Sequence, residues 1–194
     1  METDFFSYNL KDVKKIREEF MKPEIGNRKS ENKNHPSSIV NIKLAGIGGM
    51  GVLKASLILA EVFFRRGMDV KKAEVHGMSQ RGGSVCSDVR FGKKIFSPMI
   101  PAGAIDYLVL FQEDQFQLYE AECSPKTVIL KPAMIDLDKL KNKRALNIAM
   151  LGLLSRYLDA PEKVWLDVIK ENLPEKLHDV NVEAFGLGRL TPAF

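Results

Sequence analysis

The clearest alternation of apolar and polar positions begins at Ile39. The run IVNIKLA is apolar and β-branched, which suits a strand buried on both faces. A glycine turn, GIGGMGV, follows at once, and then LKASLILAEVFFRR, whose apolar residues recur at helical spacing. The order strand, turn, helix predicts a βα unit. Gly67 closes that helix, and MDVKKAEV supplies a second strand parallel to the first, with a right-handed crossover as the expected connection.

Past the second strand the period changes. SVCSDVRFGKKIFSP alternates, with Val85, Val89 and Phe91 on one side and Asp88 and Arg90 toward the other, and the turn residues Gly92 and Lys93 predict a β-hairpin. AIDYLVLF reads as another buried strand, QEDQFQLYEAE as a short amphipathic helix and TVIL as a last central strand. Three helices close the chain: RALNIAMLGLLSRYL, then EKVWLDVIKENL opened by Pro161, then VNVEAFGLG ending at glycine. The expected class is α/β: a doubly wound, mostly parallel, Rossmann-like sheet with an antiparallel hairpin and C-terminal helices.

The first 38 residues follow a different pattern. Leu10, Val13, Ile16 and Phe20 fall on one helical face, whereas Pro23 to Ser38 is polar and turn-rich. Residues 1–38 are therefore expected to form a short docking helix on a linker, and residues 39–194 the globular domain. A tail that packs on nothing outside the chain is the alternative.

Composition narrows the functional classes. A chain of 194 residues with 45% apolar content can bury a full core. Its formal charge of +4 comes from scattered residues, which argues against nucleic acid as a partner. No apolar run approaches the roughly 20 residues needed to cross a bilayer, and METDFFSYNLKDVKKIREEF reads as neither a secretory signal nor a transit peptide, so a cytoplasmic location is expected. The two cysteines, Cys86 and Cys123, form no CxxC pair and cannot ligate an iron–sulfur cluster or a closed zinc site. Any redox centre is expected on another chain.

Two glycine-rich stretches carry the candidate chemistry. Gly46, Gly48 and Gly51 satisfy GxGxxG between a strand and a helix, where small residues permit a tight turn and free N–H groups at a helix start attract a phosphate. A dinucleotide site also wants an acidic residue at the tip of the second strand, and here the tip carries Val75, His76 and Gly77. Binding of a phosphate or other anion, a purely structural turn, and NAD or FAD all remain open readings. The second stretch, EVHGMSQRGGSV, lies at the carboxyl end of the second strand, where ligands bind in open α/β folds. Arg81, flanked by Gly82 and Gly83, suits a carboxylate or phosphate, with pairing to its own chain as the structural alternative. His76 is a weak candidate for proton transfer. No GxSxG elbow, HExxH motif or facing carboxylate pair is present, so the catalytic residues are unassigned and no metal ligand is named.

Taken in order, GIGGMGV, EVHGMSQRGGSV, FSPMIPAGAIDYLVLF, LNIAMLGLLSRYL and VNVEAFGLG resemble the gamma-type domain of 2-oxoacid:ferredoxin oxidoreductases, in the version found as the beta subunit of indolepyruvate:ferredoxin oxidoreductase. The resemblance spans roughly Ile39 to Gly188. It implies a subunit of a heteromeric complex, inactive alone, that covers the active site during oxidative decarboxylation and helps hold coenzyme A. Thiamine diphosphate and iron–sulfur clusters are then expected on a large catalytic partner, with ferredoxin reached only indirectly and homodimer formation by the isolated chain left open. The residues implied in cofactor binding are Gly48, Gly49, Gly51, Ser79, Gln80, Arg81, Gly82, Gly83 and Ser84, while Ser97 and Pro98 are expected to shape the surface facing the catalytic chain. Three departures stand out: Met50 where the family's turn usually reads GGQG, Gln112 in place of a carboxylate, and a short stretch from Thr127 to Leu146. A noncatalytic binding or assembly module and a freestanding nucleotide-dependent oxidoreductase are the rival classes.

Overall fold

The computed structural model describes residues 39–76 and 82–191. Among these residues five strands form one sheet: β1 (Val40–Ile47), β2 (Asp69–His76), β3 (Ser84–Gly92), β4 (Tyr107–Leu110) and β5 (Val128–Leu130). Their order is β2-β3-β1-β4-β5. β1 pairs in parallel with β4, and β4 with β5, whereas β3 runs antiparallel to both β1 and β2. Four strands therefore point one way, and β3 alone opposes them. The sheet is open and α/β, as expected.

The hairpin is not where the turn residues Gly92 and Lys93 suggested. β3 pairs along its length with β1 on one side, Val40 facing Phe91, and with β2 on the other, Asp69 facing Gly92. Both of its edges are thus taken, so nothing after Gly92 can add as a neighbouring strand. The antiparallel hairpin is β2–β3, and it inserts β3 between β1 and β2, which point the same way without touching.

One face of the sheet carries the long helices: α1 (Val52–Arg65), α3 (Leu146–Leu154), α4 (Glu162–Asn172) and α5 (His178–Leu190). α1 turns Val52, Ala55, Ile58, Leu59, Val62 and Phe63 inward. Phe63 stacks on Phe91 of β3 at 3.7 Å between centroids and meets the edge of Trp165 at 6.1 Å, and Trp165 leans on Phe185 of α5 at 5.8 Å. This aromatic chain links sheet, α1, α4 and α5. α3 has no polar side, since every residue from Asn147 to Leu154 is buried. α5 runs through Gly186 and Gly188 rather than ending at glycine, because the missing side chain at Gly188 admits the α3 backbone at Ala149 and Leu153.

The other face is covered by irregular chain. QEDQFQLYEAE forms single 3-10 turns around one α turn, α2 (Phe116–Tyr119), in place of a continuous short helix. Near β4 this face is apolar, built from Ala45, Cys86, Ile100, Ile105, Leu108 and Leu110. Beside it Lys43 and Asp88, each about 5% exposed or less, pair at 2.6 Å, with Glu122 3.3 Å from the same ammonium. Burial opposes the charge on Lys43, but the Asp88 carboxylate outweighs it and holds the ammonium above its ordinary value. Asp88 also accepts the Ile100 N–H at 3.0 Å, so this buried pair ties the 93–100 loop to the sheet.

Candidate functional site

The two glycine stretches meet at the carboxyl ends of β1 and β2. Gly48 N–H donates to Gly83 O at 2.9 Å, and the β1–β3 register places Ile47 opposite Ser84. One step along, Gly46 faces Val85, which in turn faces His76 at the end of β2. The structure thus gathers Gly48, Gly49, Gly51, Gly82, Gly83 and Ser84 at one rim. Ser79, Gln80 and Arg81 lie outside the described residues, and of His76 only the backbone is described.

Backbone geometry explains the glycines. Gly49, Gly51 and Gly82 have φ of 96°, 79° and 73°, in the left-handed region that residues with a Cβ rarely adopt. Gly51 is the N-cap of α1 and offers no side chain, so its carbonyl accepts from Ala55 N–H at 2.9 Å. The first turn of α1 contains no acidic residue, which leaves its positive end uncompensated by the helix itself.

Facing that helix start is an open groove of about 230 Å³ lined by Gly49, Met50, Phe111, Lys143, Arg144 and Leu146. Lys143 and Arg144 are exposed and sit on a 3-10 turn whose N-cap, Asn142, accepts the Arg144 N–H at 2.9 Å. Next to it Asn147, at 8% exposure, donates to Gly51 O at 3.3 Å, so α3 and the glycine turn are held together by one buried amide. Neither Lys143 nor Arg144 is among the residues that the sequence singles out, and the groove is not anticipated there. The cue was slight: a cap residue followed by two cations and an apolar helix, with nothing local to say that the turn returns to the β1 rim.

The second bend is braced from the other side of the sheet. Tyr119 OH lies 3.2 Å from Ser84 Oγ, and Lys43 Nζ sits 5.3 Å from the Tyr119 ring centroid. Burial pushes the Tyr119 phenol up to about 12, so it stays protonated and able to donate across the physiological range. Gln112, at the end of β4, donates to Asp114 at 2.8 Å. Ser97 and Pro98 stand apart from this assembly, on the loop that follows the opposite end of β3, where Arg90 donates to Ser97 O at 2.9 Å.

The described residues at the rim therefore combine bare backbone, a helix N-terminus and two cations. Such chemistry can receive an anion or a second polypeptide. Among the described residues no three His, Cys, Asp or Glu side chains converge as a metal site, and no helix is long and apolar enough to cross a membrane.

An open α/β sheet whose two glycine stretches meet at one rim defines the class of domain. Residues 41–190 match the family pyruvate ferredoxin/flavodoxin oxidoreductase, and the chain belongs to that family. It is 29% identical over 188 residues to the indolepyruvate oxidoreductase subunit IorB of Thermococcus kodakarensis, an alignment covering 76% of this chain and 93% of that protein. The fold is similar to the gamma subunit of a keto/oxoacid ferredoxin oxidoreductase from Geobacter sulfurreducens, with a TM-score of 0.62 at 20% identity over 77% of this chain and 95% of that one. It is also similar to part of the 2-oxoglutarate:ferredoxin oxidoreductase of Magnetococcus marinus solved with 2-oxoglutarate, coenzyme A and succinyl-CoA, with a TM-score of 0.67 at 19% identity. That match covers 78% of this chain and 30% of the longer chain. The protein is an oxidoreductase subunit of the small, gamma-type class.

Proposed function

We propose that this chain is the cluster-free subunit of a thiamine-dependent 2-oxoacid:ferredoxin oxidoreductase of the indolepyruvate or aryl-pyruvate type. In this reading its paired glycine bends close over the active site of a larger catalytic subunit and hold coenzyme A. The observation that carries the reading is the Gly48 to Gly83 hydrogen bond, which brings both bends to one rim beside the groove of Lys143 and Arg144. The Magnetococcus marinus enzyme holds coenzyme A, and the Thermococcus kodakarensis relative is named for indolepyruvate, which motivates the choice of ligand and acid.

Thiamine diphosphate, held by the partner, supplies the carbanion chemistry of decarboxylation, and electrons leave through the partner's clusters. This chain's share is to bind and exclude water. Gly49, Gly51, Gly82 and Gly83 let backbone N–H groups approach phosphate, Gly48 pins the two bends together through its own N–H, Arg81, Lys143 and Arg144 neutralise the charge, and Ser79, Gln80 and Ser84 shape the loop. His76, at the end of β2, is a secondary candidate for proton transfer.

The test is the assembled complex. Arg81→Ala and Lys143→Glu/Arg144→Glu are expected to leave assembly and substrate-driven cluster reduction intact while raising KM for coenzyme A about ten- to a hundredfold, the loss of one or two charge-assisted contacts. Unchanged coenzyme A dependence in both variants would remove the site assignment. Failure to assemble with any thiamine-bearing subunit would remove the reading itself, and tight NAD or FAD binding by the purified chain would replace it with a freestanding oxidoreductase.

A further inference from the structure

The sheet has two edges, and they differ. β5 is three residues long, too short to receive a partner strand. β2 runs in unbroken register with β3, from Asp69 facing Gly92 to His76 facing Val85, with neither a bulge nor a proline. Among the described residues no strand lies on its outer side, where alternate N–H and C=O groups point away from β3. Natural edges of that length are blunted by a bulge, a proline, a covering segment or charge. Among the described residues β2 carries only the last of these, as Asp69, Lys71, Lys72 and Glu74.

That charge admits one pairing. A second copy adding antiparallel to β2 is related to the first by a twofold axis through the residue that faces its own copy. Four registers keep more than half of β2 in the ladder, with Lys71, Lys72, Ala73 or Glu74 on the axis. Three of them set a charge against itself, and like charges directly opposite destabilise a sheet. The Ala73 register does the reverse. Lys72 faces the partner's Glu74, and Glu74 faces the partner's Lys72. These two residues already pair within the strand on one face, so two copies close a ring of four alternating charges. On the other face Val75, a large apolar residue 52% exposed, lies against the partner's Lys71, whose aliphatic stem covers it. Ala73 on the axis lets the strands approach without hindrance.

We propose that the outer edge of β2 is the docking surface for a second copy of this chain, paired antiparallel with Ala73 on the twofold axis. Two five-stranded sheets then join into one. Antiparallel pairing sets the two glycine rims at opposite margins of the joined sheet, facing away from each other. The dimer does not rest on the coenzyme A reading.

Sedimentation of the full chain tests it. The chain is expected to sediment as a dimer. Lys72→Glu or Glu74→Lys alone is expected to raise the dissociation constant about tenfold or more, since each sets like charges across the axis. Lys72→Glu/Glu74→Lys, which restores opposite charges, is expected to return it to within about threefold of the parent. Oxidised Ala73→Cys should form a dimer bridged from 73 to 73, as peptide mapping reads, because facing Cα atoms lie about 4.5–5.5 Å apart, within disulfide reach. Lys71→Cys, about 13 Å from its own copy, and the parent with its free Cys86 and Cys123 should not. Circular dichroism matching the parent's verifies the fold of each variant. A chain that stays monomeric overturns the proposal, as does a dimer indifferent to the single reversals, unrestored by the swap or lacking the 73–73 bridge. Phe96 and Met99, 82% and 52% exposed on the loop after β3, are the rival surface. A dimer lost only in Phe96→Ser/Met99→Ser overturns the proposal in favour of that loop.

Discussion

At Gly51 two independent constraints forbid a side chain. A φ of 79° costs any residue with a Cβ about 1–2 kcal/mol, and a Cβ built there would collide with Asn147 Nδ2. Asn147 cannot retreat without giving up its bond to Gly51 O in a buried setting. Gly51→Ala should therefore lower stability by about 2–4 kcal/mol, whereas Gly49→Ala, with φ 96° and nothing within 4 Å, should cost only the backbone share. Urea midpoints of the two variants measure the difference. Tyr119 gives a second residue-scale prediction. Its phenol, raised by burial from 10.0 to about 12, binds its proton more tightly folded than unfolded. Its contribution is fully present below about pH 10 and is lost as pH rises toward 12. Tyr119→Phe should flatten that alkaline limb in melts recorded from pH 9 to 12, while the buried Lys43 and Cys86 titrate in both proteins. The glycines were legible in the sequence because backbone freedom leaves a local mark. The Lys43–Asp88 pair and Arg90 were not, because alternation along β3 says which residues share a face but not that a later loop buries the polar one.

Between elements the same limit appears as topology. Each strand was readable from its own run of residues, but the partner of β3 was not. Alternation looks identical whether the second hairpin arm comes before or after, and turn residues at Gly92 and Lys93 favoured the wrong side. The α3–α5 contact was also invisible, since nothing along either helix marks Gly152 and Gly188 as facing one another. They are the contact: a Cβ at Gly152 would strike the Phe185 carbonyl oxygen, and one at Gly188 the Ala149 carbonyl oxygen. Backbone, unlike a flexible side chain, cannot step aside within a close-packed interior. Gly188→Ala should thus force the helices apart and cost about 3 kcal/mol, a fall in Tm of roughly 6–12 °C for a domain of this size. Gly186→Ala, in the same helix with nothing within 4 Å, serves as the control and should be neutral or slightly stabilising.

For the molecule as a whole, the direction of the strands decides what can act together. Because β1 and β2 point the same way, their carboxyl ends bring both glycine bends and the start of α1 to one rim, as the βα reading implied, and the Lys143–Arg144 groove, which that reading did not contain, opens beside them. β3 runs back from that rim, and its nine residues carry the chain about 30 Å to the loop of Phe96 and Met99. Contacts separated by far more than 7–10 Å with no shared partner act additively. Adding Phe96→Ser/Met99→Ser to Lys143→Glu/Arg144→Glu in the assembled complex should therefore leave the coenzyme A KM of the first pair unaltered. Measuring that KM on the quadruple variant checks it. A KM that moved with the loop substitutions would mean that β3 transmits strain between its ends, most directly through the Asp88–Lys43–Tyr119–Ser84 chain of contacts. Adding Tyr119→Phe, which breaks that chain at its last step, should then restore independence.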